Sequence, residues 1–123
     1  MSFEKLVFDV FAKNCTSRPV MDTVTSRWGI LSLAALLDGT YRFNELRRRV
    51  DGVSEKMLSQ TLHALERDGL VLRTVQSTIP PRVEYSITDP GRRIATKLAE
   101  LIDLLQAAMP DISAAQARYD EAR

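Results

Sequence analysis

The stretch that decides the fold is residues 54–68, SEKMLSQTLHALERD, read with the alternating apolar runs that follow it. Leu58, Leu62 and Leu65 fall at i, i+4 and i+7, so they line one stripe of a helix. Lys56, Ser59, Gln60, His63 and Arg67 gather on the opposite side. These side chains carry hydrogen-bond donors and acceptors on stems long enough to enter a groove. A helix anchored on one face and rich in amide, hydroxyl and cationic groups on the other suits the DNA major groove. An ordinary amphipathic core helix with a solvated face carries the same pattern. The surroundings must therefore decide between the two.

Working outward, Ser54 is a good N-cap and Gly69 a good terminator for this helix. Beyond Gly69 the period changes. Val71, Arg73 and Val75 alternate with Leu72, Thr74 and Gln76, and Val83, Tyr85 and Ile87 alternate with Glu84, Ser86 and Thr88. These are two strands. They are joined by residues 77–82, STIPPR, whose prolines are expected to stiffen the loop and keep it out of the ladder. On the other side, Asp51-Gly52 makes a turn, preceded by a helix marked by Phe43, Leu46 and Val50 with Arg47, Arg48 and Arg49 toward its end.

Further upstream, residues 28–37, WGILSLAALL, are apolar nearly all round and predict the buried central helix, ended by Gly39. Thr16 or Ser17 is expected to cap a helix running to about Val24, with Pro19 in its first turn. Phe3, Leu6, Val7, Val10 and Phe11 repeat at helical spacing and predict a first short helix that needs a partner, either the body or a second subunit. After Thr88 and Pro90 a long helix is expected, with Ile94, Leu98, Leu101 and Leu105 as its main stripe. Pro110 is expected to stop it, leaving Asp111 to Arg123 to add a turn or two or to fray.

The expected fold is therefore α+β and mostly helical, a winged helix-turn-helix in a single domain over residues 1–123. Residues 41–88 supply the helix-turn-helix and wing, and residues 1–14 and 89–110 the terminal helices. The 123 residues carry a net charge of +1, but the charge is segregated. Residues 42–97 hold eleven Lys/Arg against seven Asp/Glu, and residues 98–123 hold two against five. The basic part coincides with the helix-turn-helix, as a nucleic-acid footprint would. No apolar run is long enough to span a bilayer, and the start, MSFEKLVFDVF, lacks a signal-peptide pattern. A bacterial cytoplasmic protein, associated with the nucleoid when DNA-bound, is expected. One cysteine excludes an internal disulfide framework and a Cys-rich zinc site.

The chain resembles the HxlR-type regulators, a branch of the MarR-like winged-helix proteins, over roughly residues 15–108. The resemblance is carried by CTSRPVMDTVTSRWGILSLAALLDG (15–39), YRFNELRRRVDGVSEKMLSQTLHALERDGLV (41–71) and IPPRVEYSITDPGR (79–92), the last two being the specific ones. It implies a homodimeric transcription factor whose N- and C-terminal helices build the dimer. It also implies that the position of Cys15 senses oxidants or electrophiles in some members. Two departures are visible: His63 stands where members often carry Arg or Gln, and Cys15-Thr16 where many carry Cys-Pro.

The expected partner is double-stranded DNA. Lys56, Ser59, Gln60 and His63 point outward early in the helix and are assigned to base edges, Gln to adenine and Lys to guanine. Ser54 and the first-turn amides are assigned to a phosphate at the positive helix end. Arg82 and Arg73 are assigned to phosphates or the adjoining minor groove from the wing, and Arg42, Arg47 and Arg48 to the backbone beside the groove. Cys15 is either an inert small apolar residue or a redox site, its thiol pKa lowered by the following helix N-terminus and by Lys13 and Arg18. Trp28 and Tyr85 are core residues or the lining of a small-molecule effector pocket. A lone His63 builds no metal site, no cofactor is implied, and one Cys with one His makes no enzyme. A winged-helix protein-interaction module that has lost its DNA contacts is the alternative.

Overall fold

The computed structural model describes residues 8–123. In chain order these form α1 (Ser17–Val24), α2 (Arg27–Leu36), β1 (Tyr41–Arg42), α3 (Phe43–Arg49), α4 (Glu55–Arg67), β2 (Val71–Thr78), β3 (Pro81–Ile87) and α5 (Asp89–Ala122). The three strands make an antiparallel sheet in the order β1-β3-β2, and the whole is a mostly helical winged helix-turn-helix.

The core sits where α2, α4 and the first turns of α5 meet. Leu33 and Leu36 from α2, Leu46 from α3, Leu58, Leu62 and Leu65 from α4, and Ala95 from α5 are all buried. Trp28 is half-buried against this cluster and Tyr85 belongs to it, so both are packing residues. Gly69, at φ +74°, lets the chain leave α4 in the left-handed region that L side chains avoid. Gly91 lets the first turn of α5 press on the carbonyl of Leu70, where any Cβ would collide. Thr88 fastens the same junction. Its hydroxyl donates to the Gly69 carbonyl at 2.7 Å and accepts from the Gly91 N–H at 3.2 Å.

Five details depart from the sequence expectations. The expected helix over residues 1–14 lies partly outside the described residues, and within them Val10 to Asn14 form turns. Asp9 dictates this: its carboxylate accepts from the Phe11 N–H at 3.1 Å, a local bond that competes with helix. Neither Thr16 nor Ser17 caps α1 with its side chain; Thr16 is the N-cap residue in αR conformation, and the Ser17 hydroxyl donates instead to Cys15 Sγ. A two-residue strand, β1, was not legible; it pairs Tyr41 with Tyr85 and Arg42 with Glu84.

The wing is longer than expected. Its ladder continues through Ser77↔Arg82 to Thr78↔Pro81, with a bulge between Val75 and Ser77. Pro81 is tolerated because it is the first residue of its strand, where a missing N–H costs least. Finally, Pro110 does not stop α5, which runs on to Ala122. A proline inside a helix costs about 3 kcal/mol. Pro110 is exposed, so water can satisfy the Gln106 carbonyl it leaves unpaired. The alanines that follow, Ala114, Ala115 and Ala117, favour continuation.

Candidate nucleic-acid interface

Ser54 starts α4 by accepting from the Met57 N–H at 3.1 Å. The first turn then carries Glu55, which Arg47 partly neutralises at 3.3 Å. Both partners are well exposed, so this pair contributes well under 1 kcal/mol. Leu58, Leu62 and Leu65 are at most 1% exposed, and Thr61 joins their face by donating to the Met57 carbonyl at 2.8 Å. That packing fixes the rotation of the helix. Lys56, Ser59, Gln60 and His63 are consequently exposed, and among the described residues none of the four makes a side-chain hydrogen bond or ion pair to the protein.

Two grooves flank this surface. One, of about 690 Å³, lies between α3 and the start of α4 and is lined by Arg47, Arg48, Ser54 and Glu55. The other, of about 590 Å³, lies between α3 and the wing tip and brings together Arg42, Arg48 and Arg82. Arg42 and Arg48, six residues apart on α3 and its cap, thus border one groove with Arg82 from the distant wing. Arg47 is less available than Arg48, because Glu55 and the Val53 carbonyl (3.5 Å) already engage it. Arg73 is exposed on β2 opposite Tyr85 and lines neither groove, so the structure does not bring it to the others. Asn44, which sequence reasoning passed over, lines both grooves with Arg48. Its only signal was its place in the first turn of α3, just after a strand that could not be foreseen.

Cys15 lies apart from these grooves, before α1. The Ser17 hydroxyl and the Asp9 N–H both donate to its sulfur at 3.1 Å. These hydrogen bonds, those from Ser17 first, hold its thiol pKa below the ordinary value, against burial and the Asp9 charge. The cause is therefore not the expected Lys13 and Arg18. Arg18 turns its guanidinium to the carbonyls of Val10 (2.8 Å) and Phe11 (3.0 Å). Beside Cys15 an apolar cleft of about 550 Å³ is lined by Phe8, Val20, Met21, Val24 and Ile94, with Thr16 and Ser17. Among the described residues no group of His, Cys, Asp and Glu could hold a metal ion, and no helix is long and apolar enough to cross a membrane.

A family model described as HxlR-like helix-turn-helix matches residues 23–113. YtfH of Escherichia coli, described as an HTH-type transcriptional regulator, is 49% identical over 106 residues, covering 86% of this chain and 84% of its own. The structure of ytfH from Salmonella typhimurium, described as a transcriptional regulator, matches with a TM-score of 0.85 at 48% identity over 89% of this chain and 98% of that one. The redox regulator HypR in its reduced form matches with a TM-score of 0.71 at 30% identity, over 79% and 96%.

Proposed function

The chain belongs to the HxlR-like helix-turn-helix family of transcriptional regulators, and from that premise we propose that it binds duplex DNA sequence-specifically as a homodimer. The observation that carries this reading is the division of α4. Its leucines are buried to the last percent, while Lys56, Ser59, Gln60 and His63 stand exposed and unengaged by the protein. In this reading they meet base edges in the major groove. Arg42, Arg48 and Arg82, with Arg47 and Ser54, hold phosphates beside it, and Arg73 is the weakest member of the set.

Support for the homodimer comes from α5. Leu101, Leu104, Leu105 and Met109 form one stripe at helical spacing, and each is at least 44% exposed. A contiguous apolar stripe of this kind marks an interaction surface. A two-fold pair of such modules reads half-sites about one helical turn apart. A regulator of this kind acts in the cytoplasm, on the nucleoid.

Cys15 is the proposed sensor. A thiolate favoured by Ser17 and Asp9 attacks one oxygen of hydrogen peroxide; the O–O bond breaks, giving a sulfenic acid and hydroxide, which takes a proton from solvent and leaves as water. A small-molecule thiol, or Cys15 of the partner subunit, then condenses with it to a disulfide, releasing another water. The apolar cleft beside it admits an apolar electrophile as effector. The likeness to HypR, a redox regulator, supports this part of the reading.

The test is recovery of bound fragments from a genomic library, followed by binding over a salt series with and without peroxide. Salt-dependent retention of a few fragments is expected, and Arg82→Ala should make the salt slope shallower by about 0.9 per bound protomer, about 1.8 for the dimer. No salt-dependent retention of any duplex would exclude the DNA reading. A peroxide response that survives Cys15→Ser would exclude the sensor.

A further inference from the structure

We propose that Arg27 is a phosphate ligand on the flank of α4 away from the wing, so that the two backbones bordering one major groove are held from opposite sides. The inference rests on the DNA-binding reading above. A major groove is about 12 Å wide and a helix with its side chains about 10–12 Å thick, so phosphates lie on both flanks of an inserted helix. On the wing side Arg42, Arg48 and Arg82 supply cations. Among the described residues, Arg27 is an exposed cation that directly follows Ser26, which borders α4 at Gln60 and Ala64.

Its position is bracketed by two contacts. Ser26, the residue before it, lines a small cleft with Gln60 and Ala64, so the link between α1 and α2 borders α4 along its exposed face. None of Arg42, Arg48 and Arg82 lines that cleft. Trp28, the residue after it, reaches with Cη2 to 3.8 Å from where a Cβ on Gly52 would stand, at the turn that leads into α4. The Arg27 guanidinium lies over the Trp28 ring, 5.4 Å from its centroid. Among the described residues no carboxylate pairs with it.

Stacking of this kind leaves the in-plane N–H donors of the guanidinium free and reduces the freedom the side chain must give up on binding. A planar, pre-oriented fork suits a phosphate. Trp28 therefore has two roles: its body packs on the core, and its outer face is a platform for Arg27.

The experiment uses full-length protein and a duplex that the wild type selects from a random-sequence pool. Binding is measured over a salt series for wild type, Arg27→Ala, Arg27→Lys, Arg82→Ala and the Arg27→Ala/Arg82→Ala pair. Arg27→Ala is expected to make the slope shallower by about 0.9 per bound protomer, about 1.8 for the dimer, and to weaken dimer binding roughly thirtyfold near 0.15 M salt, alike on selected and unrelated duplexes. Arg27→Lys keeps the slope. The pair loses about twice as much slope as either single variant, because the phosphates are different. The urea midpoint stays put in every variant, since both arginines are exposed. An unchanged slope for Arg27→Ala overturns the proposal, and so does a pair no shallower than Arg82→Ala alone, which would mean one shared phosphate. Wild type that shows no salt-dependent binding removes the DNA reading itself, and this inference with it.

Discussion

Helices α4 and α5 carry the same leucine code and meet opposite fates. Leu58, Leu62 and Leu65 of α4 are at most 1% exposed. Leu101, Leu104 and Leu105 of α5 are 44%, 66% and 50% exposed. Spacing makes both segments helices with an apolar stripe, but it does not say what covers the stripe. The 13 residues of α4 lie against α2 and the base of the wing. The 34 residues of α5 extend about 51 Å; only Gly91, Ala95 and Leu98 are buried, and farther along Ile102 and Gln106 merely border a cleft against α2. One stripe is thus satisfied by its own chain, while the other stands exposed, as the proposed homodimer requires.

The strongest way to break this contrast is to truncate one leucine from each helix. Leu62→Ala is expected to cost about 3–5 kcal/mol in urea unfolding, because it opens a cavity in a filled core. Leu104→Ala should change the stability of an isolated protomer by no more than about 0.5 kcal/mol. Equal losses at low protein concentration would show that α5 packs on its own body.

A second test changes assembly. Leu104→Glu should halve the mass seen by sedimentation and abolish any dependence of the unfolding midpoint on protein concentration. A wild type already monomeric at high concentration would remove the dimer.

Smaller still is Ser54→Ala, which deletes the cap of α4 and should cost about 1 kcal/mol. Its measurement is the urea midpoint, with the far-UV spectrum otherwise unchanged. The smallest effect concerns Cys15. Its folded thiol pKa is depressed, so the thiolate's contribution to stability is present above the unfolded pKa and lost as pH falls through the folded one. Iodoacetamide should therefore alkylate the folded chain at lower pH than the urea-unfolded chain. Ser17→Ala, which removes the first cause of the shift, should move that profile upward, and an unmoved profile would discredit the assignment.

What the sequence made legible follows from the range of the interactions involved. The stripe and cap of α4 depend on neighbours within four residues, and Leu58, Leu62 and Ser54 behave as their spacing predicts. The two long strands were legible for the same reason. Strand β1 was not, because two residues acquire strand character only from Glu84 and Tyr85, more than forty positions away. The convergence of Arg42, Arg48 and Arg82 likewise exists only once the wing folds back on α3. Asn44 and Arg27 were missed because their places depend on such long-range packing. The prolines misled in the opposite direction. Pro81 and Pro110 are strong breakers as residue types, yet each sits where its missing N–H is tolerated, at a strand start and on an exposed helix face where water reaches the unpaired carbonyl.

The central claim is that the exposed face of α4 reads bases. The direct measurement is the affinity of wild type and Gln60→Ala for the selected duplex and for a panel carrying each single base-pair change in one half-site. Gln60→Ala should lose about 1–3 kcal/mol on the parent duplex and become indifferent at one position where wild type discriminates. The same loss on every duplex in the panel, or no loss on any, would contradict the account.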